Sequence, residues 1–73
     1  MTERRDHCRE LIPLIAIRPE HLDVLAAQLG ISEITTATAL GWLRMRNLVV
    51  HTDFGYIATP AGIAWHQNEG LTR

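Results

Sequence analysis

The feature that most constrains the fold is an apolar helical segment that is closed by a glycine and followed at once by a helix-capping serine. Its apolar positions have the i, i+3, i+4, i+7 spacing of one helix face: Leu22, Leu25, Ala26 and Leu29. Gly30 can adopt the left-handed conformation that ends a helix, and Ser32 is a favoured N-cap for the next one. With Pro19 in its first turn, this segment predicts two helices joined by a tight turn over about residues 19–47.

One further helix is predicted before this pair. Its apolar face again has helical spacing and contains Cys8, Leu11, Ile12 and Ile15. The pattern predicts helix 1 over about residues 4–17, kinked or divided at Pro13. The single cysteine cannot form an internal disulfide, so we expect it to be a small buried hydrophobe in a reducing cytoplasm.

After residue 47 the sequence changes from a helical to a β-prone pattern. Two β-prone runs lie at residues 48–52 and 56–59, and the three residues between them end in a glycine, where a hairpin loop needs a positive φ. Thr59 and Pro60 then supply an N-cap and a first-turn proline for a last helix over about residues 60–69. We expect one domain over residues 1–73, mostly α with a small β-hairpin, in the order helix, helix, helix, hairpin, helix.

Residues 19–66 resemble the winged helix-turn-helix domain of bacterial and phage transcription regulators, notably the small modules related to the MarR, ArsR and PadR groups. The matching features are L-A-A-Q-L-G-I-S at residues 25–32, the positions Leu40, Leu43 and Asn47-Leu48-Val49, and Y-I-A-T-P-A-G at residues 56–62, which is similar to the common ending Y-x-L-T-P-x-G. The resemblance implies a helix-turn-helix at about 19–47 and a wing at about 48–59. It also implies that helix 3 enters the major groove of double-stranded DNA.

The function implied by this resemblance is that of a sequence-specific, DNA-binding transcription regulator, such as a repressor, of bacterial, phage or plasmid origin. The chain is expected to form a homodimer, which would place its two recognition helices about 34 Å apart, in successive major grooves. The positions carried over as DNA-binding lie on the outer face of helix 3 and on the hairpin: Ser32, Glu33, Ile34, Thr35, Ala37, Thr38, Gly41, Arg44, Arg46, His51 and Thr52. Trp42 and Trp65 either fill the core, which is favoured for Trp65, or form a dimer or partner interface.

Composition leaves a second interpretation open. The formal net charge is −1, whereas an autonomous nucleic-acid binder usually has a basic surplus. The stripe of helix 3 opposite the core-facing Leu40 and Leu43 is nearly apolar, and it contains Ile34, Ala37, Thr38, Gly41 and Met45. Such a stripe can contact thymine methyl groups, or it can pack against a protein such as RNA polymerase, as in a winged-helix adaptor or inhibitor.

Other classes of function are disfavoured by the motifs that the sequence lacks. It has no phosphate-binding glycine loop, no nucleophile elbow and no metal-chelating spacing of histidine and cysteine. We therefore expect no enzyme, no cofactor and no metal. The longest apolar run, residues 11–17, is shorter than the roughly 20 residues that span a bilayer, and the N-terminus lacks a signal-peptide layout. These features predict a cytoplasmic protein.

Overall fold

Four helices and one β-hairpin form the part of the chain that a computed structural model describes, residues 3–71, with side chains over residues 7–68. The elements are α1 (Glu3–Leu14), α2 (Leu22–Leu29), α3 (Glu33–Met45), β1 (Val49–Thr52), β2 (Gly55–Ala58) and α4 (Pro60–Leu71). This order confirms the predicted fold class and is consistent with a winged-helix-like small α+β fold. None of the described helices is long and apolar enough to cross a membrane.

The core lies between α1 and α3, and α2, α4 and the hairpin close its edges. Its central side chains are at most 1% exposed: Cys8, Leu11, Ile12, Ile15, Leu25, Leu40 and Leu43. The predicted inward faces of helices 1 and 3 are therefore confirmed. The one buried polar side chain among the described residues is Thr36, whose hydroxyl donates to the Ser32 carbonyl at 2.9 Å. That bond satisfies a donor that would otherwise be buried without a partner.

Helix α1 ends at Leu14, three residues before its predicted end at residue 17. The Ile15 amide donates to the Ile12 carbonyl at 3.2 Å, which tightens the last turn. The Ile15 carbonyl then accepts from the Ala58 amide of β2 at 2.9 Å. The backbone after Pro13 is thus held by the hairpin, a distant segment whose influence cannot be read from helical periodicity.

Helix α2 begins at Leu22, so the prediction that Pro19 lies in its first turn is wrong. Glu20 instead forms an isolated antiparallel bridge with Tyr56 of β2. Its amide donates to the Tyr56 carbonyl at 3.0 Å, and its carbonyl accepts from the Tyr56 amide at 2.7 Å. These bonds require extended backbone where the helix was expected to begin, and they attach the segment between α1 and α2 to the hairpin.

The turn between α2 and α3 has the predicted chemistry. Gly30 has a φ of 71°, and the Ile31 amide donates to the Ala26 carbonyl at 3.1 Å, which closes the end of α2. Ser32 caps α3, its Oγ accepting from the Thr35 amide at 3.0 Å. The two helices are therefore joined through three residues with little freedom, which fixes the direction of α3.

Replacing Ser32 by alanine is expected to lower the free energy of unfolding by about 1 kcal/mol, because the Thr35 amide loses its cap acceptor. This should lower the melting temperature by about 4–8 °C, measured by circular dichroism. Ser32→Asp, which supplies another good cap acceptor, should melt close to the unmodified chain. An alanine variant that is as stable as the unmodified chain would contradict the capping role.

The hairpin is tighter than predicted. Thr52 pairs with Gly55, so Asp53 and Phe54 form a two-residue turn and Gly55 already belongs to β2, with the expected positive φ at 120°. The Thr52 hydroxyl donates to the Gly55 carbonyl at 2.8 Å and accepts from the Phe54 amide at 3.1 Å. These two bonds hold the two-residue turn closed.

Helix α4 is fastened to the end of α3. Asn47 has a φ of 61° at the end of α3, and its carbonyl accepts from the Thr59 hydroxyl at 2.7 Å. The same Thr59 hydroxyl accepts from the Gly62 amide at 3.0 Å, which confirms Thr59 as the cap of α4. Because the Thr59 amide also donates to the Leu48 carbonyl at 3.0 Å, the strand-to-helix junction is held in a fixed position.

Candidate nucleic-acid interface

The outer face of α3 is open to solvent along its length, as the predicted stripe requires. Ile34 is 80% exposed and Met45 is 84% exposed, and Gly41 is half-buried. The remaining exposed residues of the candidate set on this helix and its two caps are Ser32, Glu33, Thr35, Ala37, Thr38, Arg44 and Arg46. Helix α3 therefore presents a surface that combines large apolar groups with small ones.

Most hydroxyl groups of this face already have partners on their own helix. The Ser32 hydroxyl donates to Thr35 Oγ1 at 2.9 Å, while its oxygen caps the helix. The Thr38 hydroxyl donates to the Ile34 carbonyl at 3.0 Å, although the residue as a whole is exposed. Any contact of these hydroxyls with DNA therefore has to compete with the bonds that they already make.

Charge is distributed unevenly along the chain in a way that the net value conceals. Residues 34–52 contain Arg44 and Arg46 and no acidic residue, although the whole chain has one acidic residue more than basic ones. This segment comprises most of α3 and all of β1. Glu33 and Asp53, the acidic residues that bound it, lie at the start of α3 and in the hairpin turn. The C-terminal half of the candidate face is therefore locally basic.

The structure brings some of the candidate residues together around two surface hollows. The first lies beside the C-terminal half of α3 and is lined by Thr38, Gly41, Trp42, Arg44 and Met45. The second joins the start of α3 to the hairpin and is lined by His21, Leu22, Asp23, Glu33, His51 and Tyr56. Glu33 of helix 3 and His51 of the wing, which were predicted separately, thus line the same hollow.

Arg46 and the two tryptophans form one cluster. Trp42 and Trp65 are both half-buried against the core, with ring centroids 6.0 Å apart and an interplanar angle of 53°. The Arg46 guanidinium carbon lies 3.8 Å from the centre of a Trp42 ring, within the range of a cation–π contact. Trp42 therefore packs inward more than its predicted position off the core face implied. Its role in a dimer or partner interface stays a prediction.

The hairpin contributes an exposed imidazole and an exposed phenyl ring. His51 stacks on its cross-strand neighbour Tyr56 with ring centroids 4.4 Å apart. Phe54 in the turn is 75% exposed. Thr52 is half-buried, and both of its hydroxyl bonds lie inside the hairpin, so its candidate contact role has the least support in the structure.

Two residues belong with the candidate face although the sequence-based set left them out. Met45 lines the first hollow, and it lies on the predicted outer stripe, so the helical spacing was sufficient to include it. Phe54 lies in the hairpin turn, where a ring can either fold back onto the strands or extend into solvent, and local sequence spacing does not decide between the two. The observed exposure of 75% shows that the Phe54 ring extends into solvent.

Comparison with known proteins adds no relative. No protein-family model matches the chain, and no curated protein matches it either. Among the described residues, no group of three or more histidine, cysteine, aspartate or glutamate side chains is placed to hold a metal ion.

Proposed function

We propose that this chain is a sequence-specific DNA-binding protein that acts as a small transcription regulator, with α3 in the major groove and the hairpin against the neighbouring backbone. The observation that carries the proposal is the exposed outer face of α3, which from Ile34 onward lies in a segment with two arginines and no acidic residue. A major groove about 12 Å wide admits one helix, and a basic helix end suits the flanking phosphates.

The dimer and the setting belong to the same proposal. One helix reads only a few base pairs, so a short site gains specificity when two copies bind half-sites about 34 Å apart. A lone cysteine, buried at 1% exposure, fits a reducing cytoplasm, and DNA in a bacterial or phage setting is accessible there. No cofactor is needed for such a role.

The proposal predicts that the purified protein enriches a short motif from randomised duplex DNA. The affinity of purely electrostatic binding falls steeply as the salt concentration rises, whereas base-specific contacts leave some sequences bound more tightly than others. The measurement is a selection at about 50 mM and about 150 mM salt, followed by sequencing of the retained duplexes. A motif that persists at the higher salt supports the proposal. Retention of no DNA at either salt contradicts it.

Paired arginine variants refine this test. Arg44→Ala should weaken binding to all sequences and reduce the slope of log affinity against log salt by about 1, because one phosphate contact is lost. Arg18→Ala is the matched control, since Arg18 is outside the acid-free segment and pairs with Glu20 at 3.3 Å. The control should leave both the affinity and the slope unchanged. Equal effects of the two variants would indicate general attraction without a defined face.

A protein-binding function is the second candidate. It is favoured by the 80% and 84% exposure of Ile34 and Met45, since large apolar groups on a surface often mark contacts with another protein. In this case α3 would dock on a partner such as RNA polymerase, as an adaptor or inhibitor does. This function would be established by two results together. The DNA selection would enrich no duplex, and the protein would bind purified polymerase stoichiometrically unless Ile34 were replaced by aspartate.

A further inference from the structure

The hollow beside the C-terminal half of α3 is lined in part by Gly41, a glycine that the packing of the fold does not require. A Cβ added at Gly41 would meet nothing within 4 Å, and the backbone there has ordinary helical geometry. Glycine is nevertheless the least favourable helix-interior residue after proline. Gly41 therefore leaves open space on the exposed face of α3 at a cost to the stability of the helix.

The walls of this hollow are mainly apolar. They are formed by Thr38, Trp42, Met45 and Arg44, and the Thr38 hydroxyl is turned back onto the Ile34 carbonyl. The Arg46 guanidinium, directly after the end of α3, lies over the Trp42 ring. The hollow thus offers methyl, thioether and indole surface, with a single guanidinium, that of Arg44, in its lining.

We propose that this hollow receives the 5-methyl group of a thymine in the major groove, with Thr38, Gly41 and Met45 as the residues that determine specificity. The inference rests on the proposed DNA-binding function. Thymine is the only standard base whose major-groove edge carries an apolar group. Arg44 in the lining and the acid-free segment around it complement the phosphates on either side, which favours DNA over a wholly apolar or basic partner.

The test exchanges thymine for uracil, which removes the 5-methyl group and leaves the base pairing unchanged. The probe is the duplex enriched in the selection described above, synthesised with deoxyuridine at one thymine position at a time. The unmodified protein should bind one such duplex about fourfold more weakly for each buried methyl group, which corresponds to about 0.8 kcal/mol. Substitution at the other thymine positions should have no effect.

Two variants of Thr38 test whether the preference for thymine over uracil arises at this hollow. Thr38→Ser keeps the hydroxyl and loses the methyl group, and it should bind the thymine and uracil duplexes equally. Thr38→Val keeps the methyl group and loses the hydroxyl, and it should retain the fourfold preference. Because position 38 is exposed, neither substitution should unfold the protein.

Filling the hollow gives an independent check. Gly41→Leu places a good helix former where nothing obstructs it, so its melting temperature should not fall, while binding to the enriched duplex should weaken at least about tenfold. Ala64→Leu at an exposed position of α4 is the matched control and should bind normally. Equal binding of thymine and uracil at every position would overturn the inference and leave DNA binding intact. Enrichment of no duplex at all would overturn the proposed function as well.

Discussion

Replacing Gly62 by alanine is expected to destabilise the protein by about 3 kcal/mol or more, a large part of the roughly 5–10 kcal/mol that stabilises a domain of this size. A Cβ at this position would lie 2.0 Å from the Leu48 carbonyl oxygen and 2.9 Å from its carbon. Both are backbone atoms, so no side-chain rotation relieves the overlap. The Leu48 carbonyl also accepts from the Thr59 amide, so displacing it disturbs the cap of α4.

The measurement is thermal and urea unfolding followed by circular dichroism, with an expected loss of about 12 °C or more in melting temperature. Gly41→Ala is the matched control, because the same change at an exposed helical glycine meets nothing within 4 Å. The control should gain about 1 kcal/mol from the better helix propensity of alanine. A Gly62→Ala protein that melts within about 2 °C of the unmodified chain would show that α4 does not pack on Leu48 as described.

Replacing Gly55 by alanine should also cost about 3 kcal/mol or more, for two reasons that act together. The backbone φ of 120° is strained for any residue with a side chain, and a Cβ would lie 2.4 Å from both the carbonyl carbon and the carbonyl oxygen of Glu20. To relieve the overlap, the bridge between Glu20 and Tyr56 has to open. The hairpin would then lose its connection to the segment before α2.

Amide hydrogen exchange separates this effect from a general loss of stability. In a Gly55→Ala protein the amides of Glu20 and Tyr56 should lose protection first, since both donate in the bridge. Gly30→Ala is the control, because Gly30 also has a positive φ, at 71°, but open space around it. It should cost only about 1–2 kcal/mol of strain. If the two variants were equally destabilised, the close approach of Gly55 to Glu20 would not matter.

The two critical glycines also show why the hairpin has a fixed position relative to α3. Gly62 lets α4 close over Leu48, and Gly55 lets β2 lie against Glu20. If the hairpin contacts DNA beside α3, as proposed, these junctions set the spacing between the two contacts. Gly41 differs from both, since no packing requirement explains it, and for this reason it carries the inference about thymine.

The candidate site was only partly predictable from the sequence. The helical period of α3 placed Ile34, Thr38 and Met45 outward without knowledge of any neighbour, because each side chain's direction follows from 100° per residue. Whether Phe54 is exposed and whether Trp42 packs on Trp65 depended on distant segments. Exposure of a position can thus be inferred from local spacing, but the shape of a surface cannot.

The sequence alone determined the features that depend on a few neighbouring residues: the inward faces of the helices, the left-handed end of α2 at Gly30, and the caps at Ser32 and Thr59. Only the tertiary structure decided where α1 ends, why α2 begins after Pro19, and how the hairpin turns. In the first two cases a backbone group of Ile15 or Glu20 bonds to a strand more than 30 residues away. Helix periodicity and capping act over one or two turns, whereas these long-range bonds form only when the core has brought both segments together.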